Sequence, residues 1–395
     1  MDRRKFIKDS ALASSLYFVP GFVKAFESTI AGQLGYRRLV IVQLAGGNDG
    51  LNTVIPYGND IYYNARPQLA VTKDVIKLND DLGFNSSLAP LRSLYDRGEL
   101  SIINNVGYPN PVRSHFRSMD IWHTASDANE YLQTGWLGRY MDTYGNNPYN
   151  AIELDEQLSL AMKGEHFKGI ATTDYRILYK TAKEPYFKNL IKHYNDAHLS
   201  EHNLGYLYQT MIDAKSSATY IYETTKVQFS QQEYPQNGFA KQLRNVAQFI
   251  VSGLDTKVFY TSLGGFDTHA NQINKQNRLL SVYADSIAAF VKDLKQNDMF
   301  KDTLILTFSE FGRRVMQNAA NGTDHGSANN VFVIGQHLKK AGIYNDLASL
   351  KDLDENGDLK FEVDFRSIYA TLLNNWMNVP TNGIMTSGHK PLQFI

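Results

Sequence analysis

The chain contains no cysteine among its 395 residues. Disulfide bonds and thiolate metal ligands are therefore excluded, and any metal ion must be held by carboxylate, imidazole or hydroxyl groups. The chain also has no net charge, because Lys plus Arg and Asp plus Glu number 40 each. Without a global electrostatic field, nucleic acid and anionic membrane surfaces are disfavoured as partners, and we expect no nucleic-acid binding.

Two further features are absent from the sequence. No Gly-x-Ser-x-Gly segment occurs, which disfavours a serine hydrolase with a nucleophile elbow. No segment after residue 25 is apolar over the roughly 20 residues needed to span a bilayer. We therefore expect no transmembrane segment in the mature chain.

The N-terminal residues match a twin-arginine export signal. Arg3-Arg4 is followed by an aromatic and an aliphatic residue, and then by an apolar stretch over residues 11–23 that is too short to cross a bilayer. Cleavage after Ala25 fits the small-residue rule. Residues 1–25 are thus predicted to be a signal peptide, with the export machinery as partner and a periplasmic or other extracytoplasmic location. The alternative is an amphipathic N-terminal helix or a membrane anchor.

Short β-branched or aliphatic runs alternate with helical patterns along residues 26–395. This alternation predicts a single α/β domain with a largely parallel central sheet, and the 43% of hydrophobic residues can supply a sizeable core. Apolar spacing between Phe266 and Lys295 predicts a long amphipathic helix. The polar, Tyr-rich stretch near 183–231 predicts a mostly helical insertion. The predicted strands are Leu39–Leu44, Leu100–Asn104, Lys257–Ser262, Thr303–Phe308 and Asn330–Ile334.

The segment from Asp352 to Asp358 is similar to the start of an EF-hand calcium loop. The twelfth position of such a loop would be Val363 rather than the required Glu, which argues against calcium binding. Asn356-Gly357 between apolar residues instead predicts a tight hairpin turn.

Acidic and imidazole side chains recur at the ends or starts of four separated predicted strands. Open α/β sheets bind ligands beyond the carboxyl ends of their strands, and these donor types suit zinc or manganese better than calcium. Capping and turn roles are alternatives: Asp267 or Thr268 could cap the long helix, and Ser309 another. Such roles do not require the two histidines. The candidate metal ligands are Asp49, Asp267, His269, Glu310, Asp324 and His325.

Ser114 is a candidate nucleophile because it directly precedes a helical pattern. In that position its hydroxyl and the free backbone N–H groups would face an anion, with Arg113 or Arg117 assisting. A nearby divalent cation would lower the pKa of the hydroxyl. The alternative is an ordinary helix N-cap, which is compatible with the catalytic role.

At these residues the chain resembles a family of twin-arginine-exported proteins, catalogued only as a domain of unknown function, within the alkaline-phosphatase-like (sulfatase-like) superfamily. The likeness covers nearly the whole chain. It is carried by GGNDGLN at 46–52, RSHFRSMDIW at 113–122, TGWLGR at 134–139, GGFDTH at 264–269, SEFGRR at 309–314, GTDHG at 322–326 and VDFR at 363–366.

This resemblance implies a sandwich with helices on both faces of the sheet and a two-metal hydrolase or transferase acting on phosphate or sulfate esters. It also implies that Asp49, Ser114 and Glu310 surround one metal. Asp267, His269 and His325 would surround the other, with Asp324 assisting. The chain departs from the superfamily where better-known enzymes have an Asp-His pair, because Glu310-Phe311 lacks that imidazole. The sulfatase nucleophile motif is also missing around Ser114.

Two functions from different classes therefore remain open. The first is an exported metal-dependent hydrolase of phosphate or sulfate esters, with an anionic ester or a polysaccharide as substrate. The second is a non-catalytic binding or scaffold protein that keeps the fold with a degraded metal site. The 24 Tyr and 21 Phe could supply sugar-stacking surface, but their scatter along the chain favours core packing.

Overall fold

A nine-stranded mixed sheet forms the centre of the fold. The computed structural model describes residues 37–186, 202–386 and 388–395, and residues 38–395 form one unit. The predicted signal peptide lies outside the described residues, as does part of the predicted insertion. The strands are β1 Arg38–Ala45, β2 Val54–Ile55, β3 Ile76–Lys77, β4 Gly83–Phe84, β5 Leu100–Gly107, β6 Ala151–Glu153, β7 Ile170–Ala171, β8 Val258–Gly264, β9 Thr303–Phe308, β10 Asn329–Ile334, β11 Gly342–Ile343 and β12 Val363–Asp364.

The order of the strands across the main sheet is β11-β5-β10-β9-β1-β8-β6-β7, and β12 also pairs with β5. Among the described strands of this sheet, β10 runs antiparallel to β5 and β9, while the other pairs are parallel. The predicted α/β fold with a largely parallel sheet is confirmed. All five predicted strands are present, and their bounds differ from the expected ones by at most three residues.

Two cores lie on opposite faces of this sheet. Because side chains alternate along a strand, Val40 and Val42 of β1 pack into one core, and Leu39 and Ile41 pack into the other. The helices are α1 Asp60–Ala65, α2 Ala89–Asp96, α3 His115–Thr124, α4 Trp136–Tyr144, α5 Tyr175–Lys183, α6 His202–Thr225, α7 Gly238–Val251, α8 Gln272–Gln296 and α9 Phe365–Thr371. The first core is covered by α2, α7 and α8, and the second by α3, α4 and α9.

The long predicted helix is confirmed, but it begins at Gln272 rather than near Phe266. Its N-cap residue is Asn271, with a left-handed φ of 47°, so the capping role considered for Asp267 or Thr268 is wrong. Residues 265–271 form a loop instead. Ser309 caps no helix either, because residues 309–320 are not helical; its hydroxyl donates to the Leu44 carbonyl. In the part of the chain with described structure, no helix has both the length and the apolar character to cross a membrane.

The turn predicted at Asn356-Gly357 is present, with Gly357 at a φ of 78° and its N–H donating to the Asp354 carbonyl. The flanking residues are not in strands, so the predicted hairpin is wrong. No partner strand among the described residues holds this segment. Asp358 instead forms ion pairs with Arg113 and Arg314.

Candidate metal centre

Five loops meet at one edge of the central sheet. β1, β8 and β9 are adjacent and parallel, so the residues that follow them lie together. β10 is antiparallel to β9, and the residues before it therefore lie at the same edge. β5 is antiparallel to β10, so the segment that leads into α3 also starts there. This topology brings together motifs that are far apart in sequence.

Two glycines allow these loops to approach closely. Gly46 has a φ of 118°, and a Cβ at this position would lie 2.4 Å from the backbone nitrogen of Asp267. A Cβ on Gly322 would lie 2.2 Å from the carbonyl carbon of His269. Only glycine fits such contacts without a backbone shift. The two glycines therefore let the neighbouring loops pack directly against the segment that carries Asp267 and His269.

Three imidazole rings surround one carboxylate oxygen. Oδ1 of Asp267 lies 3.1 Å from Nε2 of His269, 3.1 Å from Nε2 of His325 and 3.5 Å from Nε2 of His115. The Nε2 atoms of His269 and His325 are 2.9 Å apart. Adjacent donor atoms around an ion with bonds of about 2.05 Å are separated by about 2.9–3.4 Å. The observed separations are therefore close to those of neighbouring ligands of a single divalent ion.

Hydrogen bonds fix the orientation of all three rings. Nδ1 of His325 donates to the Arg113 carbonyl at 2.8 Å, and Nδ1 of His269 donates to Asp324 at 3.3 Å. Nδ1 of His115 donates to Oε1 of Glu310 at 2.8 Å. When Nδ1 carries the proton of a neutral imidazole, Nε2 keeps its lone pair. All three lone pairs are thus available on the side of Asp267, as in metal sites with outer-shell oxygen partners.

Arg313 is the positive partner of Asp267. Its guanidinium is fully buried and lies 2.7 Å from Oδ1 of Asp267, and it also donates to the carbonyls of Gly47 and Thr323. Burial by itself would raise the pKa of Asp267, but the opposing effects, of which the hydrogen bond from Arg313 is the largest, hold that pKa well below its usual range. Asp267 therefore stays an anion, which is the form that binds a cation.

Glu310 contacts the centre through His115. Its side chain is 1% exposed, and its Oε1 accepts hydrogen bonds from Nδ1 of His115 and from the N–H of Gly46, each at 2.8 Å. The hydrogen bond to Glu310 is the main cause of a raised pKa at His115. Metal ligation by Glu310 stays a prediction; in the structure this carboxylate orients a neighbouring imidazole.

Asp49 lies in a separate buried ion pair. Its Oδ2 is 2.6 Å from Nη1 of Arg66, both side chains are 0% exposed, and Gln272 also donates to this carboxylate. Arg66 further donates to the Val315 carbonyl, which ties it to the loop after β9. The structure does not bring Asp49 into the group around Asp267, and its role as a metal ligand stays a prediction.

Ser114 lies beside the centre, between two residues that contact it. The carbonyl of Arg113 accepts from His325, and the ring of His115 faces Asp267. Ser114 occupies the N-cap position of α3 but makes no side-chain capping hydrogen bond. The guanidinium of Arg117 is engaged elsewhere: it donates to the Ala128 carbonyl, and its Cζ lies 3.8 Å from the centroid of the Tyr131 ring. The side chain of Arg113 pairs with buried Asp358 at 3.5 Å.

Asp324 contacts the centre from its solvent side. Its Oδ1 accepts from His269 and from Asn318, and the hydrogen bond from Asn318 is the main cause of its lowered pKa. It orients His269 in the structure, and the assisting role implied by the resemblance stays a prediction.

Sequence reasoning missed His115, Arg66 and Arg313. His115 could have been found by the rule applied to the other strands, because it follows the strand predicted at Leu100–Asn104 and is a third imidazole at the same edge. The two arginines gave no comparable signal, since nothing in the pattern of residues shows which of many arginines is buried beside which carboxylate.

Several solved structures resemble this chain in fold but share little of its sequence. The lipoteichoic acid synthase LtaP from Listeria monocytogenes is 10% identical, with 91% of this chain and 76% of that one covered at a TM-score of 0.43. The PsFucS1 sulfatase from Pseudoalteromonas sp. is 11% identical, with coverages of 89% and 70% and a TM-score of 0.40. A protein in the alkaline phosphatase superfamily from Vibrio parahaemolyticus is 10% identical, with coverages of 86% and 66% and a TM-score of 0.38.

At such identities and TM-scores, these likenesses carry no argument about chemistry. No curated protein sequence matches this chain. The model of one family, described as "Protein of unknown function (DUF1501)", matches residues 99–392, which include every candidate site residue except Asp49. The match spans well over half of the sequence, and the chain therefore belongs to the DUF1501 family.

Proposed function

We propose that this protein is an exported, metal-dependent hydrolase of phosphate or sulfate esters. One observation carries the metal dependence: oriented imidazole nitrogens of His269 and His325 lie 3.1 Å from the ionised carboxylate of Asp267. This set of nitrogen and oxygen donors fits zinc or manganese. The ester class rests on the resemblance in sequence to the alkaline-phosphatase-like superfamily, and a polysaccharide bearing such esters fits an extracytoplasmic location.

Asp267, His269 and His325 would hold the ion. When bound, a divalent ion supplies Lewis-acid polarisation of an ester oxygen and stabilises a deprotonated nucleophile. Ser114, between Arg113 and His115 at the start of α3, would provide the attacking hydroxyl, which makes no capping hydrogen bond. The side chain of Arg113 is 30% exposed, so it can reach an anionic substrate while Asp358 holds its position.

A non-catalytic binding protein is the second candidate. The observation in its favour is that arginines already neutralise two predicted metal ligands, since Arg313 pairs with Asp267 and Arg66 pairs with Asp49. Such pairs compensate the charge of both carboxylates without a metal, although only Asp49 is buried. Metal content and turnover distinguish the two functions.

We expect the purified protein to bind a zinc or manganese ion and the His325→Ala variant to lose it. Removing the imidazole takes away one donor and leaves the Arg113 carbonyl without its partner. The measurement is metal analysis after dialysis, with hydrolysis of aryl phosphates and aryl sulfates by metal-replete protein. His166→Ala is the control, because His166 is exposed and lies outside the centre. Absence of bound metal and of turnover in the wild type would favour the binding protein.

Export by the twin-arginine route belongs to the same proposal and is supported by Arg3-Arg4. Replacing both arginines by lysine is expected to leave precursor in the cytoplasm. Immunoblots of cell fractions measure this, with wild-type chain as control. Processed double variant in the periplasm would contradict the route.

A further inference from the structure

We propose that His115 is a direct ligand of the metal ion and that Glu310 is a positioning residue which holds His115 in place, rather than a ligand itself. The inference rests on the metal centre of the proposed function but does not require hydrolysis. It adds His115 to the ligands Asp267, His269 and His325 of the proposed function. The sequence alone predicts Glu310 as a metal ligand, and the resemblance assigns it to a different ion from Asp267; neither includes His115.

The unused nitrogen of His115 is the first reason. Its Nε2 atom is buried and has no hydrogen-bond partner among the described residues, although it lies 3.5 Å from Oδ1 of Asp267. A histidine that serves only the core normally has partners at both ring nitrogens, because a buried unpaired polar atom is unfavourable. A cation between Nε2 and Asp267 removes this deficit.

The fixed orientation of the ring is the second reason. Glu310 accepts from Nδ1 of His115, and the same carboxylate oxygen accepts from the N–H of Gly46. The His115 ring also packs against Phe311 and His325, with centroids 4.8 Å and 4.4 Å away. Rotation of the ring would break these contacts together. Its Nε2 lone pair is therefore held toward Asp267 and His325, with which it forms a group of donor atoms within 4.8 Å.

The position of Glu310 argues for an indirect role. The oxygen that contacts the site is already occupied by two N–H donors, and Oε2 faces the Ser309 hydroxyl at 3.4 Å. A carboxylate that accepts from the distal nitrogen of a ligating histidine is a common outer-shell arrangement. Asp324 has the same relation to His269, and the Arg113 carbonyl has it to His325. Each of the three imidazoles thus has one oxygen partner on the side away from Asp267.

The test uses the full chain loaded with cobalt, whose visible absorption depends on the number and kind of ligands. Metal affinity and the cobalt spectrum are measured for wild type and for the His115→Ala, Glu310→Gln and Glu310→Ala variants. His166→Ala is the control. Unfolding temperatures in chelator show whether each variant folds without metal, so that a loss of affinity is not confused with a loss of folding.

Loss of a ligand in His115→Ala should weaken cobalt binding by more than the 10–100-fold typical of an outer-shell change and should alter the absorption spectrum. Glu310→Gln keeps an oxygen that accepts from Nδ1 of His115, so its spectrum and its affinity should stay close to wild type. Glu310→Ala should lose about 10–100-fold in affinity.

Wild-type affinity and spectrum in His115→Ala would overturn the inference while leaving the metal centre intact, provided that wild type binds cobalt. A spectrum changed by Glu310→Gln but not by His115→Ala would make Glu310 the ligand. If wild type itself binds no cobalt, zinc or manganese, the proposed function fails together with the inference.

Discussion

Replacing Arg66 by methionine is expected to destabilise the folded protein by about 3–5 kcal/mol, because it leaves a buried carboxylate without its cation. Arg66 and Asp49 are both 0% exposed and their atoms are 2.6 Å apart. The substitution also removes donors to the carbonyls of Val315 and Arg314. The free energy of unfolding from urea titration measures the loss.

Arg92→Met is the matched control, since Arg92 forms an exposed i,i+4 pair with Asp96 and such pairs contribute about 1 kcal/mol or less. The double variant Arg66→Met, Asp49→Leu should be more stable than the sum of the single changes predicts, because it leaves no unpaired charge. A loss below about 1 kcal/mol in Arg66→Met would mean that Asp49 has another partner.

The Arg66 variant also tests Asp49 as a metal ligand. In the wild type, the guanidinium of Arg66 occupies the space beside the Asp49 carboxylate in which a cation would bind. If Asp49 can bind a metal once Arg66 is gone, zinc or manganese should restore stability to Arg66→Met by more than it stabilises wild type. Equal metal effects on the two proteins would show that Asp49 serves the fold.

The framework of the site could be predicted from the sequence because it depends on strand order. Buried strands such as Thr303–Phe308 are runs of apolar residues bounded by turn signals, and ligand-binding loops follow them. That rule correctly predicted that Asp267, His269, Asp324 and His325 lie at one edge of the sheet. The short strands β2, β3 and β4 have two residues each, which is too few for periodicity to show.

Side-chain pairing within the site could not be predicted, because it depends on distances between loops. Asp49 and Asp267 have the same local setting in the sequence, each after a Gly-Gly or Gly-rich segment at the end of a strand. In the structure Asp49 faces Arg66 and Gln272, whereas Asp267 faces Arg313 and three imidazoles. Arg66 directly follows α1 and Gln272 begins α8, so the positions of these two helices, which the sequence pattern does not give, determine the partners of Asp49.

At Phe311 the motif lacks the expected imidazole, and His115 from another part of the chain supplies one. The resemblance leads one to expect an imidazole at this position, and its absence weakened the predicted site. In the structure the ring of His115 stacks near Phe311 and hydrogen bonds to Glu310. An imidazole is thus present at this place, delivered by the N-terminus of α3 rather than by the loop after β9.

Replacing Ser114 by asparagine is expected to lower hydrolysis by at least about 10³-fold without a comparable loss of stability, if Ser114 attacks the ester. Asparagine caps helices about as well as serine, and glycine costs only a few tenths of a kcal/mol. Since the Ser114 side chain makes no capping hydrogen bond, neither change should lower the melting temperature appreciably. Turnover of an ester that wild type hydrolyses and the melting temperature are measured together.

Ser114→Gly should behave as Ser114→Asn does, because neither side chain has a hydroxyl. Ser93→Asn is the control, since Ser93 is an exposed helical serine whose hydroxyl donates to the Pro90 carbonyl of its own helix. With a phosphate ester, a phospho-enzyme should be trapped on Ser114 at low pH in wild type and be absent from both variants. Full turnover by Ser114→Asn would show that the hydroxyl is not the attacking group. Water activated at the metal centre would then be the nucleophile, and Ser114 would serve only to begin the helix that carries His115.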